Sequence, residues 1–243
     1  LSTVVYKIGS ATYEATHTTP DAIRLNGMLR EMVDSGCKYC FMEVSSHAVD
    51  QQRISGLNFD TALFTNISRD HLDYHKTYDA YISAKKKFFD GLSSKSTAIV
   101  NIDDKNGSTM LHHTKAKKKT FALRSAADYK CKIIENQFSG LHLNINGQDV
   151  YTKLIGSFNA SNLLLTYATA IELGENQLQV LTVLSALDAV EGRFQQFKSD
   201  LGVNSIVDYA HTPDALMNVL KTIADIRTGN EKVVCVVGCG GDR

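Results

Sequence analysis

The sequence predicts an α/β protein, a three-layer α/β/α sandwich around a mostly parallel sheet. Short apolar runs that do not alternate with polar residues are typical of buried parallel strands, and helical apolar periodicity fills the segments between them. The 243 residues, 43% hydrophobic and 21% charged, suit one or two globular domains. These three observations together favour layered helices and strands.

The first half of the chain alternates between the two kinds of element. Thr19 is expected to cap the first helix, with Pro20 at its first position, because these residue types favour those positions. The predicted elements are, in order, helix 20–35, strand 39–45, strand 61–66, helix 78–92 and strand 97–102.

The hydrophobic period changes between about 120 and 155. Apolar and polar residues alternate over 141–145, Asn146-Gly147 is a type I′ hairpin signal, and residues 150–154 are expected to pair back. This pattern predicts a small antiparallel flap. The lysines before it, at 115, 117, 118 and 119, are interpreted as a solvated loop.

The last part of the chain predicts two more helices and then a β-α-β unit. Gly192 between them is interpreted as a hinge, so we expect a central domain over 1–195 and the start of a C-terminal, Rossmann-like domain over 196–243. The elements are helix 159–173, helix 177–189, strand 205–208, helix 213–226 and strand 232–237.

Charge and composition exclude several classes of protein. Lys+Arg and Asp+Glu are equal at 26 each, so no overall positive field favours nucleic acid. No apolar run approaches the length of about 18 residues that a membrane span needs. The five cysteines are an odd number for a disulfide framework and are interpreted as reduced thiols. We therefore expect a cytoplasmic monomer.

Ionisable side chains follow two neighbouring predicted strands. Glu43 lies at the end of the first, and the segment 70–75, which reads DHLDYH, follows the second. Ligands of open α/β sheets bind at the carboxyl edge of the strands. A glutamate with one histidine suits Mg²⁺ held largely by phosphates. The alternative is a metal-dependent hydrolase that uses Glu43, Asp70, His71, Asp73 and His75.

Lys85 lies near the centre of the apolar face of helix 78–92. An unpaired buried ammonium is unfavourable, so its stem reaches water, it forms an ion pair or it loses its charge. A neutral lysine can react with CO₂ to form a carbamate, which is an anionic oxygen ligand for Mg²⁺. The pattern alone leaves these possibilities open.

Motifs spread along nearly the whole chain resemble those of the Mur ligases, the ATP-dependent amide-forming enzymes of peptidoglycan synthesis. The combination of MEVSSH with SRDHLDYH points to the member that adds a diamino acid to UDP-MurNAc-L-Ala-D-Glu. The motifs are Thr18-Thr19-Pro20, MEVSSH at 42–47, QQR at 51–53, TNISRDHLDYH at 65–75, NIDD at 101–104, GRF at 192–194, VDYAHTPDAL at 207–216 and GCGGDR at 238–243.

The resemblance implies roles for individual residues. Lys85, as a carbamate, and His71 would be catalytic, and both would join Glu43 around Mg²⁺. The UDP-MurNAc-dipeptide would be held by Thr18, Thr19, Ser45, Gln51 and Arg53. ATP would be contacted by Asn159, Arg193, Asp208 and His211.

The sequence lacks one motif that the resemblance leads us to expect. It contains no G-x-x-x-x-G-K-[ST] phosphate loop, so we expect weak ATP binding, and we interpret the chain as an inactive piece of a longer ligase. The diamino acid, meso-diaminopimelate or L-lysine, stays open. A non-catalytic, decayed ligase is a further alternative.

Overall fold

The computed structural model describes residues 1–229 and 231–238, so most of the predicted 238–243 motif lies outside the described residues. The chain forms two compact units. The first contains Leu1–Ala98 and Lys105–Lys118, and the second contains Ile99–Asp104 and Lys119–Arg243. None of the described helices is long and apolar enough to cross a membrane.

The first unit combines short strands with two long helices. An antiparallel hairpin, which the sequence did not predict, packs Tyr6 and Ile8 against Met28 and Met32 of the first helix. The elements are β1 (Val5–Ile8), β2 (Ala11–Glu14), α1 (Ala22–Asp34), α2 (Ser46–Asp50), β3 (Thr61–Phe64), α3 (Leu72–His75), α4 (Tyr78–Asp90), the start of β4 (Thr97–Asn101) and α5 (Gly107–Met110).

The cap of α1 differs from the prediction. The carboxylate of Asp21 accepts hydrogen bonds from the backbone N–H groups of Ile23 and Arg24, both at 3.0 Å. Asp21 is therefore the N-cap, and the helix begins two residues later than predicted. Thr19 is instead fully buried and uses its hydroxyl elsewhere.

The predicted strand 39–45 is wrong. Residues 39–45 have no strand assignment, and Tyr39 and Phe41 are exposed. A strand needs a continuous ladder of partners. This segment instead exchanges two backbone hydrogen bonds with Leu1, which donates to the Phe41 carbonyl at 2.7 Å and accepts from the Glu43 N–H at 3.0 Å.

The second unit contains the larger core. Its central helix packs on two strands of the sheet, with Leu143, Ile145, Leu163 and Leu164 almost fully buried. The elements after β4 are β5 (Lys117–Ala122), β6 (Tyr129–Gln137), β7 (Gly140–Ile145), β8 (Gln148–Thr152), α6 (Ser157–Glu172), α7 (Gln177–Ala186), β9 (Gln195–Lys198), β10 (Asn204–Val207) and α8 (Pro213–Ile226).

The mixed α/β fold class is confirmed, with a refinement in the predicted flap. One six-stranded sheet has the order β3-β4-β5-β6-β7-β8, so the flap continues this sheet. β5 and β6 are parallel, whereas β6, β7 and β8 are antiparallel. Asn146 and Gly147 both have positive φ, 47° and 88°, as a type I′ turn requires.

The predicted loop at the lysine cluster is wrong. Lys117, Lys118 and Lys119 belong to β5, and only Lys115 lies outside it. Lysine is depleted in strands, so the first half of β5 carries no strand signal in the sequence. The sheet contacts of its apolar second half, which includes the fully buried Phe121, outweigh that preference.

The predicted β-α-β unit is formed only in part. β10 and α8 are present, and α8 has the predicted bounds and follows the cap residue Thr212. β10 pairs with β9 in a hairpin, whereas residues 232–237 have no strand assignment and Val234 and Val236 are 85% and 93% exposed. Apolar strand propensity alone does not form a strand without a pairing neighbour.

A buried ion pair joins β5 to α6 and yields a stability prediction. Lys119 Nζ lies 3.0 Å from Glu172 Oε1, the Glu172 side chain is only 6% exposed, and Tyr129 donates its hydroxyl proton to the same carboxylate at 2.6 Å. Lys119→Met removes the ammonium from this buried carboxylate. We expect it to lower the free energy of unfolding by about 3 kcal/mol, because a buried charge loses its counter-charge.

Urea unfolding of the purified chain measures this effect. The matched control is Lys118→Met on the exposed face of the same strand, expected to change stability by less than about 0.5 kcal/mol. Equal effects of the two substitutions would show that the ion pair contributes nothing.

Candidate active site

Thr19 is the centre of a hydrogen-bonded junction in the first unit. Its hydroxyl donates to the carbonyl of Glu43 at 2.8 Å and accepts from the N–H of Ser45 at 3.1 Å. Its own carbonyl accepts from Arg53 Nη1 at 2.8 Å. The Thr19 junction therefore joins four of the residues singled out in the sequence, and Ser45 also caps α2.

The carboxylate of Glu43 is exposed at this junction. Thr3 donates its hydroxyl proton to Glu43 Oε2 at 2.7 Å and lies 3.0 Å from the hydroxyl of Thr18. Thr3 was not predicted, since a lone threonine before a strand carries no signal. The contact holds one carboxylate oxygen and leaves the other for a ligand.

An imidazole and tyrosine cluster, composed of His47, His71, Tyr74, His75 and Tyr81, lies beside α4. The ring centroids of His47 are 4.1 Å from Tyr74, 5.0 Å from His71 and 5.5 Å from His75. Tyr81 packs on His71 at 5.6 Å and on His75 at 5.3 Å. The DHLDYH segment therefore packs against α2, which contributes His47.

Burial changes the acid-base properties of the cluster. It lowers the pKa of His47, and the imidazoles of His71 and His75 lower it further. Burial is likewise the main reason that the pKa of His75 is lowered. The pKa of Tyr81 is raised to about 12 by burial and by the charge of Asp70. These shifts favour the neutral forms of His47, His75 and Tyr81.

Lys85 extends from α4 over the face of Tyr81, with Nζ 5.3 Å from the ring centroid. The side chain is half-buried, and burial lowers the pKa of its amine while Asp70 opposes that shift. Among residues 1–229 and 231–238 this amine has the Tyr81 ring as its neighbour and no hydrogen-bond or ion-pair partner. A desolvated amine of this kind has a larger neutral fraction than a surface lysine.

The two lysines that follow Lys85 on α4 differ from it in having carboxylate partners. Lys86 binds Asp90 at 2.5 Å, and Lys87 lies 3.6 Å from Asp50. Both amines therefore have a carboxylate partner.

No preformed metal cage is present in the described residues. No group of three or more His, Cys, Asp or Glu side chains among residues 1–229 and 231–238 could hold a metal ion. The five-residue metal set of the hydrolase alternative is therefore not assembled. One exposed carboxylate and one half-buried imidazole, Glu43 and His71, are donors of the kind that complete the coordination of a Mg²⁺ ion held mainly by phosphates.

Three of the predicted nucleotide contacts meet around Tyr209 in the second unit. The guanidinium of Arg193 lies 5.1 Å from the Tyr209 ring centroid, and the ring of His211 lies 5.0 Å from it. Asp208 accepts from the N–H groups of Phe194 and Ala210, each at 2.8 Å. Tyr209, whose N–H binds the Gly192 carbonyl at 2.8 Å, was not predicted to matter.

The fourth contact, Asn159, belongs to the same unit at the start of α6. Its amide donates to the carbonyl of Ile155 at 2.8 Å. The preceding residue, Phe158, packs against Phe194 with 5.5 Å between ring centroids, next to Arg193. This ring pair therefore brings together the residue before Asn159 and the residue after Arg193.

This fold and these residue groups define a class of α/β ligases, and the chain belongs to the Mur ligase family. The family model described as Mur ligase middle domain matches residues 1–170, and the one described as Mur ligase, glutamate ligase domain, matches residues 192–243. The resemblance predicted from the motifs is confirmed.

Similar proteins and a similar solved structure share one ligase name. The chain is 53% identical to a protein of Parabacteroides distasonis and 54% identical to one of Cytophaga hutchinsonii, both over its full length. Both are named UDP-N-acetylmuramoyl-L-alanyl-D-glutamate–2,6-diaminopimelate ligase. A solved structure of a ligase with this name matches the whole chain with a TM-score of 0.80 at 32% identity. The chain spans about half the length of these relatives.

Proposed function

We propose that this chain is part of an ATP-dependent amide ligase that adds meso-diaminopimelate to UDP-MurNAc-L-Ala-D-Glu. ATP would phosphorylate the D-glutamyl carboxylate, giving an acyl phosphate and ADP. The amine of the diamino acid would then attack the acyl carbon, release phosphate and lose a proton. The observation that carries the proposal is the identity of 53% and 54% over the full length of the chain to two relatives with that activity in their names.

The Thr19 junction supports a role in binding the nucleotide-dipeptide. Thr18, Thr19, Ser45, Gln51 and Arg53 would hold this substrate. Arg53 is half-buried, and its planar donors match carboxylate and phosphate oxygens. Because the Thr19 carbonyl already holds Arg53 Nη1, little further ordering of the guanidinium is needed when an anion binds.

Lys85 and His71 would act in the chemical step, together with Glu43. A bound Mg²⁺ would supply neutralisation of the phosphate charge during transfer. Glu43 and His71 would hold the ion beside the nucleotide, and Lys85 would add a carbamate oxygen. The lowered pKa of Lys85 supports the carbamate, since only the neutral amine attacks CO₂, forming an N–C bond and losing a proton.

Asn159, Arg193, Asp208 and His211 would contact the nucleotide. The Asp208 carboxylate uses one lone pair on each oxygen for backbone N–H groups, so further lone pairs remain for ribose hydroxyls. We also propose a central domain over 1–195 and a C-terminal domain that starts at 196, which the separate family matches at 1–170 and 192–243 support.

Phosphate release by the complete ligase, the polypeptide that contains this chain, tests the proposal. Release is expected only when Mg²⁺, ATP, UDP-MurNAc-L-Ala-D-Glu and meso-diaminopimelate are all present, with the tripeptide product detected by mass. Replacing meso-diaminopimelate by L-lysine is the specificity control. Turnover of the dipeptide substrate without ATP would favour the hydrolase, and no turnover in any mixture would favour the decayed ligase.

A further inference from the structure

Tyr74 connects the Gln51 side chain to the imidazole and tyrosine cluster. Its hydroxyl donates to Asp50 Oδ2 at 2.9 Å and accepts from Gln51 Nε2 at 3.3 Å. Its ring packs on His47 at 4.1 Å and on His75 at 4.8 Å. The ring and the hydroxyl therefore make different contacts, which one substitution can separate.

The direction of each hydrogen bond follows from charge. Asp50 can only accept while ionised, and the Tyr74 hydroxyl is the main reason that the pKa of Asp50 is lowered. The hydroxyl proton thus points to Asp50, and its lone pair accepts from the Gln51 amide. The other end of the amide, Oε1, accepts from Arg53 Nε at 2.9 Å and Nη2 at 2.6 Å.

The N–H groups of Gln51 and Arg53 that these hydrogen bonds leave free define what the two side chains can bind. Arginine has five N–H donors and a glutamine amide has two. Arg53 uses three, two on Gln51 and one on Thr19, and Gln51 uses one on Tyr74. Two N–H groups of Arg53 and one of Gln51 are left, so the pair offers only donors and suits a carboxylate or phosphate oxygen.

We propose that Tyr74 is a positioning residue that holds the Gln51 and Arg53 donors in place for an anionic oxygen of the nucleotide-dipeptide. This inference rests on the proposed function. Tyr74 acts through Gln51, because its hydroxyl fixes the amide against Asp50 on one side while Arg53 holds it on the other. Without that hydroxyl the amide keeps only its Arg53 contacts and samples more orientations.

The test is Tyr74→Phe in the complete ligase. The Kd for UDP-MurNAc-L-Ala-D-Glu, measured by calorimetry, and the KM for this substrate are expected to rise about fivefold, the effect of one hydrogen bond. We expect kcat and the KM for ATP to stay within about twofold, because the residues proposed to contact ATP are not partners of Tyr74. Tyr151→Phe, an exposed tyrosine stacked on His142 in the other unit, is the matched control and is expected to change nothing.

A double-mutant cycle separates positioning from a general structural role. In a Gln51→Ala background, Tyr74→Phe is expected to have no further effect on Kd, because the side chain through which it acts is gone. Additive losses, an unchanged Kd, or a fall in kcat alone would overturn the inference. Normal dipeptide binding by a wild-type enzyme that forms no product would contradict the proposed function, while the Kd comparison would still decide the role of Tyr74.

Discussion

Lys85→Ala is expected to lower kcat of the complete ligase at least about 100-fold, the usual cost of losing one group that stabilises developing charge in a transition state. The Kd for the nucleotide-dipeptide should change little, since the proposed substrate contacts are made by other residues. The expectation rests on the position of the amine, half-buried over Tyr81, with a pKa that burial lowers. Steady-state kinetics and calorimetry measure the two quantities.

Lys86→Ala is the matched control for this experiment. It is the next residue on α4, and its amine binds Asp90 and lies 3.5 Å from His113, so we expect near wild-type kcat. Added bicarbonate or short carboxylic acids should partly restore the Lys85→Ala enzyme by supplying oxygen ligands. Wild-type turnover of Lys85→Ala would mean that Lys85 is an ordinary half-buried lysine and that the carbamate has no catalytic role.

Gly140→Ala is expected to have the largest effect on stability, lowering the free energy of unfolding by more than about 3 kcal/mol. Gly140 begins β7 with φ of +130°, and a Cβ there would lie 1.9 Å from the carbonyl oxygen of Thr152. Since that oxygen belongs to the backbone of the neighbouring strand, the strand pairing itself must shift. Urea unfolding of the purified chain measures the change.

Gly147→Ala provides the comparison within the same hairpin. Gly147 also has positive φ, +88°, but a Cβ there meets no atom within 4 Å. Only the backbone conformation is then unfavourable, at about 1 kcal/mol. Similar losses for both substitutions would show that β7 and β8 separate easily and that the close approach at Gly140 is tolerated.

Elements whose partners are close in sequence were predictable. The helix at 78–92 was found as α4, Tyr78–Asp90, and the hairpin at Asn146-Gly147 was found with its turn type. Helical periodicity and turn chemistry are local properties, so a single sequence contains them. The same holds for α8, where Thr212 and Pro213 mark the start.

Two segments whose outcome depends on distant partners, 39–45 and β5, were predicted wrongly. The run 39–45 has the composition of a buried strand, but composition does not supply a ladder of hydrogen bonds, and β5 forms despite three lysines because its neighbours provide one. In the candidate site, the motifs singled out Glu43 and His71, and the apolar face of helix 78–92 singled out Lys85. The contacts of Thr3 and Tyr74 span 40 and 24 residues of chain and were seen only in the structure. Pairings at such separations leave no periodic signal.

The Thr19 junction limits the residue types that position 19 can tolerate. One hydroxyl with no exposure to solvent donates to Glu43 and accepts from Ser45. Valine has the same shape but neither function, an ionised aspartate cannot donate, and asparagine places its polar atoms one bond further from the backbone. Serine keeps both hydrogen bonds without adding volume, so we expect serine to be the one tolerated substitution at position 19. Asp21, two positions away and exposed, can by contrast be exchanged for any good helix cap.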